Sequence, residues 1–185
     1  KLSKIMKVDI DFQVFPKNNN DKNAYKKVLK KNSIDSCVVA VPDHLHFNIS
    51  KSILNKKIHC MVVKPMTSNL KEAKSMTSLA VKNKVIGQVE FHKRLDISNL
   101  ILKDKIASGE LGKLQYAVIE YSQQKQIPTK IFKKWVNKTN IFQYLGVHYV
   151  DLLYYITNFI PESVVAWGQK DYLISKGINT WDSIQ

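Results

Sequence analysis

Between residues 37 and 91, short apolar runs alternate with helix-length segments, and this alternation constrains the fold more than any other feature of the chain. The first run, Cys37-Val38-Val39-Ala40-Val41, is β-rich and apolar at consecutive positions. A strand covered on both faces has that pattern, so it is expected to be a central strand of a parallel sheet. Pro42-Asp43 closes the run, and Asp43 is placed to cap the helix that follows. That helix, about 44–55, carries Leu45, Ile49 and Ile53 on one face. A second strand, 58–63, ends at Lys64-Pro65. A helix capped from Thr67, Ser68 or Asn69 comes next, with Glu72 three residues after Asn69 and an apolar stripe of Leu70, Ala73, Met76 and Ala80. The third strand spans 85–91. The β-α-β-α-β order implies right-handed crossovers and a parallel sheet with helices on its faces.

Upstream, residues 1–15 read as the end of a helix and a short strand, 16–21 as a loop, and 25–31 as a small basic helix. Beyond Arg94 the pattern changes. A helix is expected over 97–107, stopped by Gly109, then a strand over 114–122, a long polar segment to 140, a helix over 143–158 and a strand over 164–169. The fold class is therefore α/β: a parallel β/α domain over 1–94, followed by an α+β domain over 95–185, with the boundary near 92–96.

The net charge of +14 raises the question of nucleic acid. The 29 basic residues include a single arginine, Arg94, and the lysines are scattered along the chain, singly or in pairs, rather than gathered into one basic tract. Nucleic-acid sites rely on arginine forks and stacked rings, so the charge points to attraction for anionic ligands instead. No run approaches the ~18 apolar residues of a membrane span, and no secretory signal is recognisable. Cys37 and Cys60 each sit inside an apolar run, without metal-ligand spacing, and read as buried thiols of a cytoplasmic protein.

Two groups of residues can carry chemistry. In a helix over 143–158, His148 and Asp151 share a face with Tyr144 one turn earlier. An imidazole held by a carboxylate beside a phenol can move a proton near neutral pH; a buried helix with a structural histidine is the other reading. Strand ends supply the second group, since open parallel sheets bind ligands beyond the C-terminal ends of their strands. Here those ends are Pro42-Asp43-His44-Leu45-His46, Lys64-Pro65 and Glu90-Phe91-His92-Lys93-Arg94. A lysine closing an apolar strand is partly desolvated, which suits it to proton transfer. His46, one turn into its helix, reads as a hydrogen-bonding group. Asp43, His44 and His46 make no convincing metal triad.

Four segments in order resemble the motifs of one family. Val41-Pro42-Asp43-His44-Leu45-His46 resembles "TP-x-x-x-H", and His59-Cys60-Met61-Val62-Val63-Lys64-Pro65 resembles "HVLVEKP". Gly109-Glu110-Leu111-Gly112 is similar to "G-x-[IL]-G", and Leu145 through Leu152 to "DLGxHxxDL". Together they resemble the Gfo/Idh/MocA oxidoreductases, relatives of glucose–fructose oxidoreductase and inositol dehydrogenase, over about residues 8–170. The resemblance implies a Rossmann domain binding NAD or NADP, and a second domain with an open, largely antiparallel sheet that binds substrate and pairs subunits into a homo-oligomer. It implies hydride transfer between the cofactor and a CH–OH group of a sugar, cyclitol or nucleotide-sugar. Lys64 would lie between nicotinamide and substrate, His148 would be the acid/base with Asp151 behind it, and Tyr144 would stand beside them. Val41, Pro42, Asp43, His46, Lys64 and Pro65 would line the cofactor, and Arg94 would sit near the cleft.

The chain departs from the family pattern at three points. Val63 stands where the glutamate before the lysine is usual, and Tyr144 where an aspartate is usual. No Gly-x-Gly-x-x-Gly occurs. That turn cradles the pyrophosphate. Both domains are accordingly expected to be incomplete, with the chain beginning after the first βαβ unit and weak or inactive as it stands. A non-catalytic sugar or nucleotide-sugar binding relative is the alternative function.

Overall fold

The computed structural model describes residues 13, 14, 21, 23–30 and 33–185. The expectations for 1–12, 15–20, 22 and 31–32 lie outside these residues. The chain divides into two units, 1–35 and 36–185. In the first, helix α1 (Ala24–Val28) is shorter than the basic helix read from sequence. The Asp21 carboxylate stands before it, accepting from the Asn23 amide and pairing with Lys27 at 2.7 Å.

In the second unit the apolar runs become strands β1 (Ser36–Val39), β2 (His59–Val63) and β3 (Gly87–Glu90), parallel and in that order. Helix α2 (His46–Asn55) connects the first pair and α3 (Leu70–Asn83) the second. Consecutive right-handed crossovers place both helices on one face, where they pack on each other and on the strands. Val39, Leu54, Cys60, Val62, Met76 and Ala80 are buried there. Asn69 caps α3, its side chain accepting from the Glu72 amide at 2.9 Å. Among the described residues β1 pairs only with β2, and Val38 is 67% exposed, so the central position expected for this strand is not what these residues form. The α2 start also differs: Asp43 lies in a 3-10 turn over Asp43–Leu45 and caps nothing with its side chain.

The helix expected over 97–107 is α4 (Ile97–Ala107), which packs on α5 (Val147–Thr157). His148, Leu152 and Ile156 form the buried stripe of α5, and Asn158 ends it in the left-handed conformation at φ 58°. The helix read over 143–158 is not continuous, because a π-helical turn over Phe142–Gly146 precedes α5. The strand read over 114–122 forms no ladder, and Tyr116 and Val118 are exposed. Of the strand read over 164–169, Gly168–Gln169 (β4) pairs antiparallel with Ser183–Ile184 (β5). A one-turn helix, α6 (Tyr172–Ser175), contributes Leu173 to a small cluster with Val136 and Ile178.

Candidate active site

Lys64 is the residue after β2, and its peptide bond to Pro65 is cis. His46, fully buried, bridges the chain on either side of it: Nδ1 lies 2.6 Å from the Pro65 carbonyl and Nε2 2.8 Å from the Val41 carbonyl. A neutral imidazole donates to one of these oxygens and an imidazolium to both. Either way, His46 ties the end of β1 to the end of β2 and fixes where Lys64 points. His46 is thus a main-chain clamp, reached through the sequence spacing Pro42-x-x-x-His46.

The Lys64 ammonium donates to the Tyr144 carbonyl at 2.5 Å and lies 3.9 Å from the centre of the Tyr144 ring. Burial lowers its pKa, opposed by the charges of Asp43 and Glu90. Tyr144 sits in the π-helical turn, packed against Phe132 and Trp135, and burial raises its phenol pKa. Gly146 lets that turn form. A Cβ there would meet the Phe142 ring at 2.5 Å.

His148 lies in the first turn of α5, only 2% exposed, with no hydrogen-bond partner at Nδ1. Burial lowers its pKa from 6.5 to about 4, assisted by the charges of Lys64, His92 and Lys93 and opposed by Glu90. The ring is neutral at pH 7 and able to accept a proton. The His92 ring packs edge-on against it at 4.5 Å and Phe91 at 6.1 Å.

The expected carboxylate behind His148 is engaged elsewhere. Asp151 forms a two-pronged pair with Arg94, at 2.7 Å from Nε and 2.5 Å from Nη2, so the predicted His148–Asp151 pairing is corrected. Planar fork-to-carboxylate geometry explains the preference: guanidinium satisfies both carboxylate oxygens, whereas imidazole reaches only one. The pair fastens α5 to the turn after β3, which gives Arg94 a bracing contact between the two halves of this unit. Asp43 likewise turns toward the second half, accepting from the Thr139 hydroxyl at 2.7 Å while only 5% exposed. Thr180 in turn donates to the Thr139 carbonyl at 2.8 Å.

Lys64, Tyr144 and His148 therefore come together, with Tyr144 carried by the π-helical turn and His148 by the α-helix that follows it, not by one continuous α-helix. Val41 and Pro65 contribute carbonyls to the His46 clamp, and Pro42 precedes the 3-10 turn. Glu90 and His92 lay within a polar strand end noted in the sequence, but no role followed from it. Their alternation with Phe91 at a strand terminus was the available signal. On the far side of Tyr144 a cavity of about 350 Å³ is lined by Phe132, Thr139, Asn140, Tyr144, Trp181 and Asp182, and by neither Lys64 nor His148. Among the described residues no group of three or more His, Cys, Asp or Glu side chains could hold a metal ion.

Residues 3–91 match the family model described as "Oxidoreductase family, NAD-binding Rossmann fold", and residues 100–182 match the "GFO/IDH/MocA C-terminal domain". The chain belongs to the Gfo/Idh/MocA oxidoreductase family. Among curated relatives, scyllo-inositol 2-dehydrogenase (NAD(+)) of Bacillus subtilis is 29% identical over 144 residues, 77% of this chain and 41% of that protein. The NADP(+)-dependent scyllo-inositol 2-dehydrogenase IolW of the same organism is 23% identical over 72% of this chain and 37% of its own length. Among solved structures, myo-inositol 2-dehydrogenase from Lactobacillus plantarum has a TM-score of 0.74 at 22% identity, covering 86% of this chain and 48% of that one. An inositol dehydrogenase homologue from Azotobacter vinelandii, complexed with NADH and myo-inositol, has a TM-score of 0.72 at 18% identity, over 88% and 43%. The chain thus spans less than half the length of these relatives.

The residues fit the nicotinamide end of a dinucleotide better than its pyrophosphate end. Lys64 and the unpartnered His148 nitrogen lie at adjoining strand and helix termini, beyond the C-terminal end of β2. None of the six glycines falls between 36 and 86, so neither strand-to-helix turn there offers a glycine-rich cradle.

Proposed function

We propose that this chain is part of a dehydrogenase that oxidises a secondary alcohol on a small polyhydroxylated ring, a cyclitol or sugar, with NAD(P) as the hydride acceptor. The observation that carries the reading is the meeting of Lys64 and Tyr144, 80 residues apart, beside a buried and unpartnered His148. A bound nicotinamide supplies the electron sink. Lys64 keeps its proton, which binds and polarises the substrate oxygen. His148, neutral above about pH 4, takes the hydroxyl proton as the carbonyl forms. Asp43 and Glu90 oppose the burial of Lys64 and help it stay charged. Trp135, Phe132 and Tyr144 pack together and exclude water from one wall.

Absence of a Gly-x-Gly-x-x-Gly supports weak dinucleotide binding by these 185 residues, so turnover should need NAD+ well above the usual micromolar range. The partner is a small molecule rather than nucleic acid, and a homo-oligomer suits the exposed apolar residues of the second half. Among the described residues no helix is long and apolar enough to cross a membrane. Cys37 and Cys60 are register neighbours on β1 and β2 and both are free thiols, Cys60 buried and Cys37 partly so. The non-catalytic alternative draws on Val63, which leaves an apolar side chain next to Lys64 in sequence, and on Tyr144, which supplies a phenol where a carboxylate is usual.

The test is NAD(P)H formation from a panel of cyclitols and sugars at high cofactor concentration. Lys64→Ala and His148→Ala should each lower turnover by roughly 10²–10⁴-fold. Unchanged turnover in both would refute the dehydrogenase reading. Cyclitol binding without NAD(P)H formation would establish the alternative.

A further inference from the structure

A buried base that takes a proton in every cycle must also return it to water. His148 is 2% exposed, and the groups around it restrict how that can happen. Lys64, from the end of β2, is occupied as a donor to the Tyr144 carbonyl and has no free electron pair while charged. Asp151, on the same helix, spends both carboxylate oxygens on Arg94. Lys93 is a second cation, and Phe91 contributes an apolar ring. Of the groups whose charges act on the His148 ring, those that remain are His92 and Glu90.

The His92 ring lies 4.5 Å from that of His148 at an interplanar angle of 68°, while its side chain is 58% exposed. Its Nδ1 is held by the Glu90 carboxylate, at 3.1 Å from Oε1 and 3.2 Å from Oε2. Glu90 ends β3, so the imidazole is anchored to the sheet with Nε2 left free to exchange. His92 is thus a half-exposed imidazole that touches the buried His148 ring and is held by the less exposed Glu90 carboxylate.

We propose that His92, positioned by Glu90, is the proton exit of the site, passing the substrate hydroxyl proton from His148 to water. This rests on the dehydrogenase reading given above. In each turnover the C–H bond gives its two electrons and hydrogen to the oxidised nicotinamide, and the O–H proton goes to one nitrogen of His148. His148 then releases a proton from its other nitrogen to His92, which yields one to water, and both rings return to neutral. His92 acts through His148 and does not touch the substrate.

The test uses the whole 185-residue chain, labelled with ¹⁵N, and reads by NMR the exchange of the His148 ring N–H with water near pH 7. This measurement needs neither cofactor nor substrate, so it stands apart from any failure of the dehydrogenase reading. His92→Gln, which keeps the polar bulk, should slow the exchange by about tenfold, with a smaller effect for Glu90→Gln. In His92→Ala, added imidazole should restore fast exchange, which a purely structural role would not allow. Where turnover is measurable, His92→Gln should lower kcat by a similar factor and leave KM unchanged. Equal exchange rates in the native chain and both His92 variants, or no response to imidazole, would overturn the proposal.

Discussion

Residues 36–94 and 95–185 satisfy their backbones in different ways. The first half closes a parallel ladder of three strands and buries Leu54, Val62 and Met76 between the sheet and two helices. The second half has α4 and α5, π-helical turns at Ile127–Ile131 and Phe142–Gly146, and a ladder of two residues on each strand. It leaves Tyr116, Val118, Val164, Val165 and Trp167 largely in solvent. The site draws on both halves, but by different means. Lys64 is placed by strand pairing and the His46 clamp, through main-chain groups. His148 and Tyr144 are placed by single contacts between side chains or across one irregular turn. A strand-end group should therefore tolerate remote substitution, whereas the helix groups should depend on a few named residues.

The largest expected effect contrasts the two halves directly. Leu54→Ala, at 1% exposure, should cost about 2–5 kcal/mol in urea unfolding, whereas Trp167→Ser, at 69%, should stay within about 0.5 kcal/mol. Equal costs would remove the distinction. Gly146→Ala comes next: the added methyl must displace the Phe142 ring, at a cost of about 1–3 kcal/mol. Because the turn carries Tyr144, fluorescence of Trp135 should change as well, and an unaltered spectrum would show the turn to be less constrained than its geometry implies. Asp151→Asn should have a smaller effect than Gly146→Ala, about 1 kcal/mol, since Arg94 is 37% exposed and solvent screens the pair. Hydrogen exchange in α5 should rise relative to β2, and a uniform rise across both would deny Arg94 its local bracing role.

The first half was largely legible from the sequence because its signals are local. Apolar runs of strand length, bounded by Pro42 and Pro65 and separated by amphipathic stripes, led to the three strands and two helices, and Asn69 capped as expected. Errors arose where a distant partner decided the outcome. Asp43 was free to cap α2 until Thr139, 96 residues away, took its carboxylate. Asp151 stood at the right spacing for His148, but Arg94, 57 residues earlier, makes the better-matched pair. The apolar segment 114–122 reads as a strand, yet a strand exists only through pairing, and no described residue pairs with it. The π-helical turn escaped detection because helical periodicity carries no mark of one inserted residue.

The depressed pKa of His148 also bears on stability. The unfolded chain binds this proton near pH 6.5 and the folded chain only near pH 4. Stability is therefore unaffected by this group above about pH 6.5, and falls as the pH drops from there through 4, by on the order of 3 kcal/mol.

The central claim is that a strand-end lysine and a helix histidine share one desolvated site. An NMR titration of the His148 ring, in the native chain and in Lys64→Met, measures this without cofactor or substrate. The native midpoint should lie near pH 4, and removal of the lysine charge should raise it while burial holds it below 6.5. A native midpoint near 6.5, unmoved by Lys64→Met, would show that the two residues do not share a site.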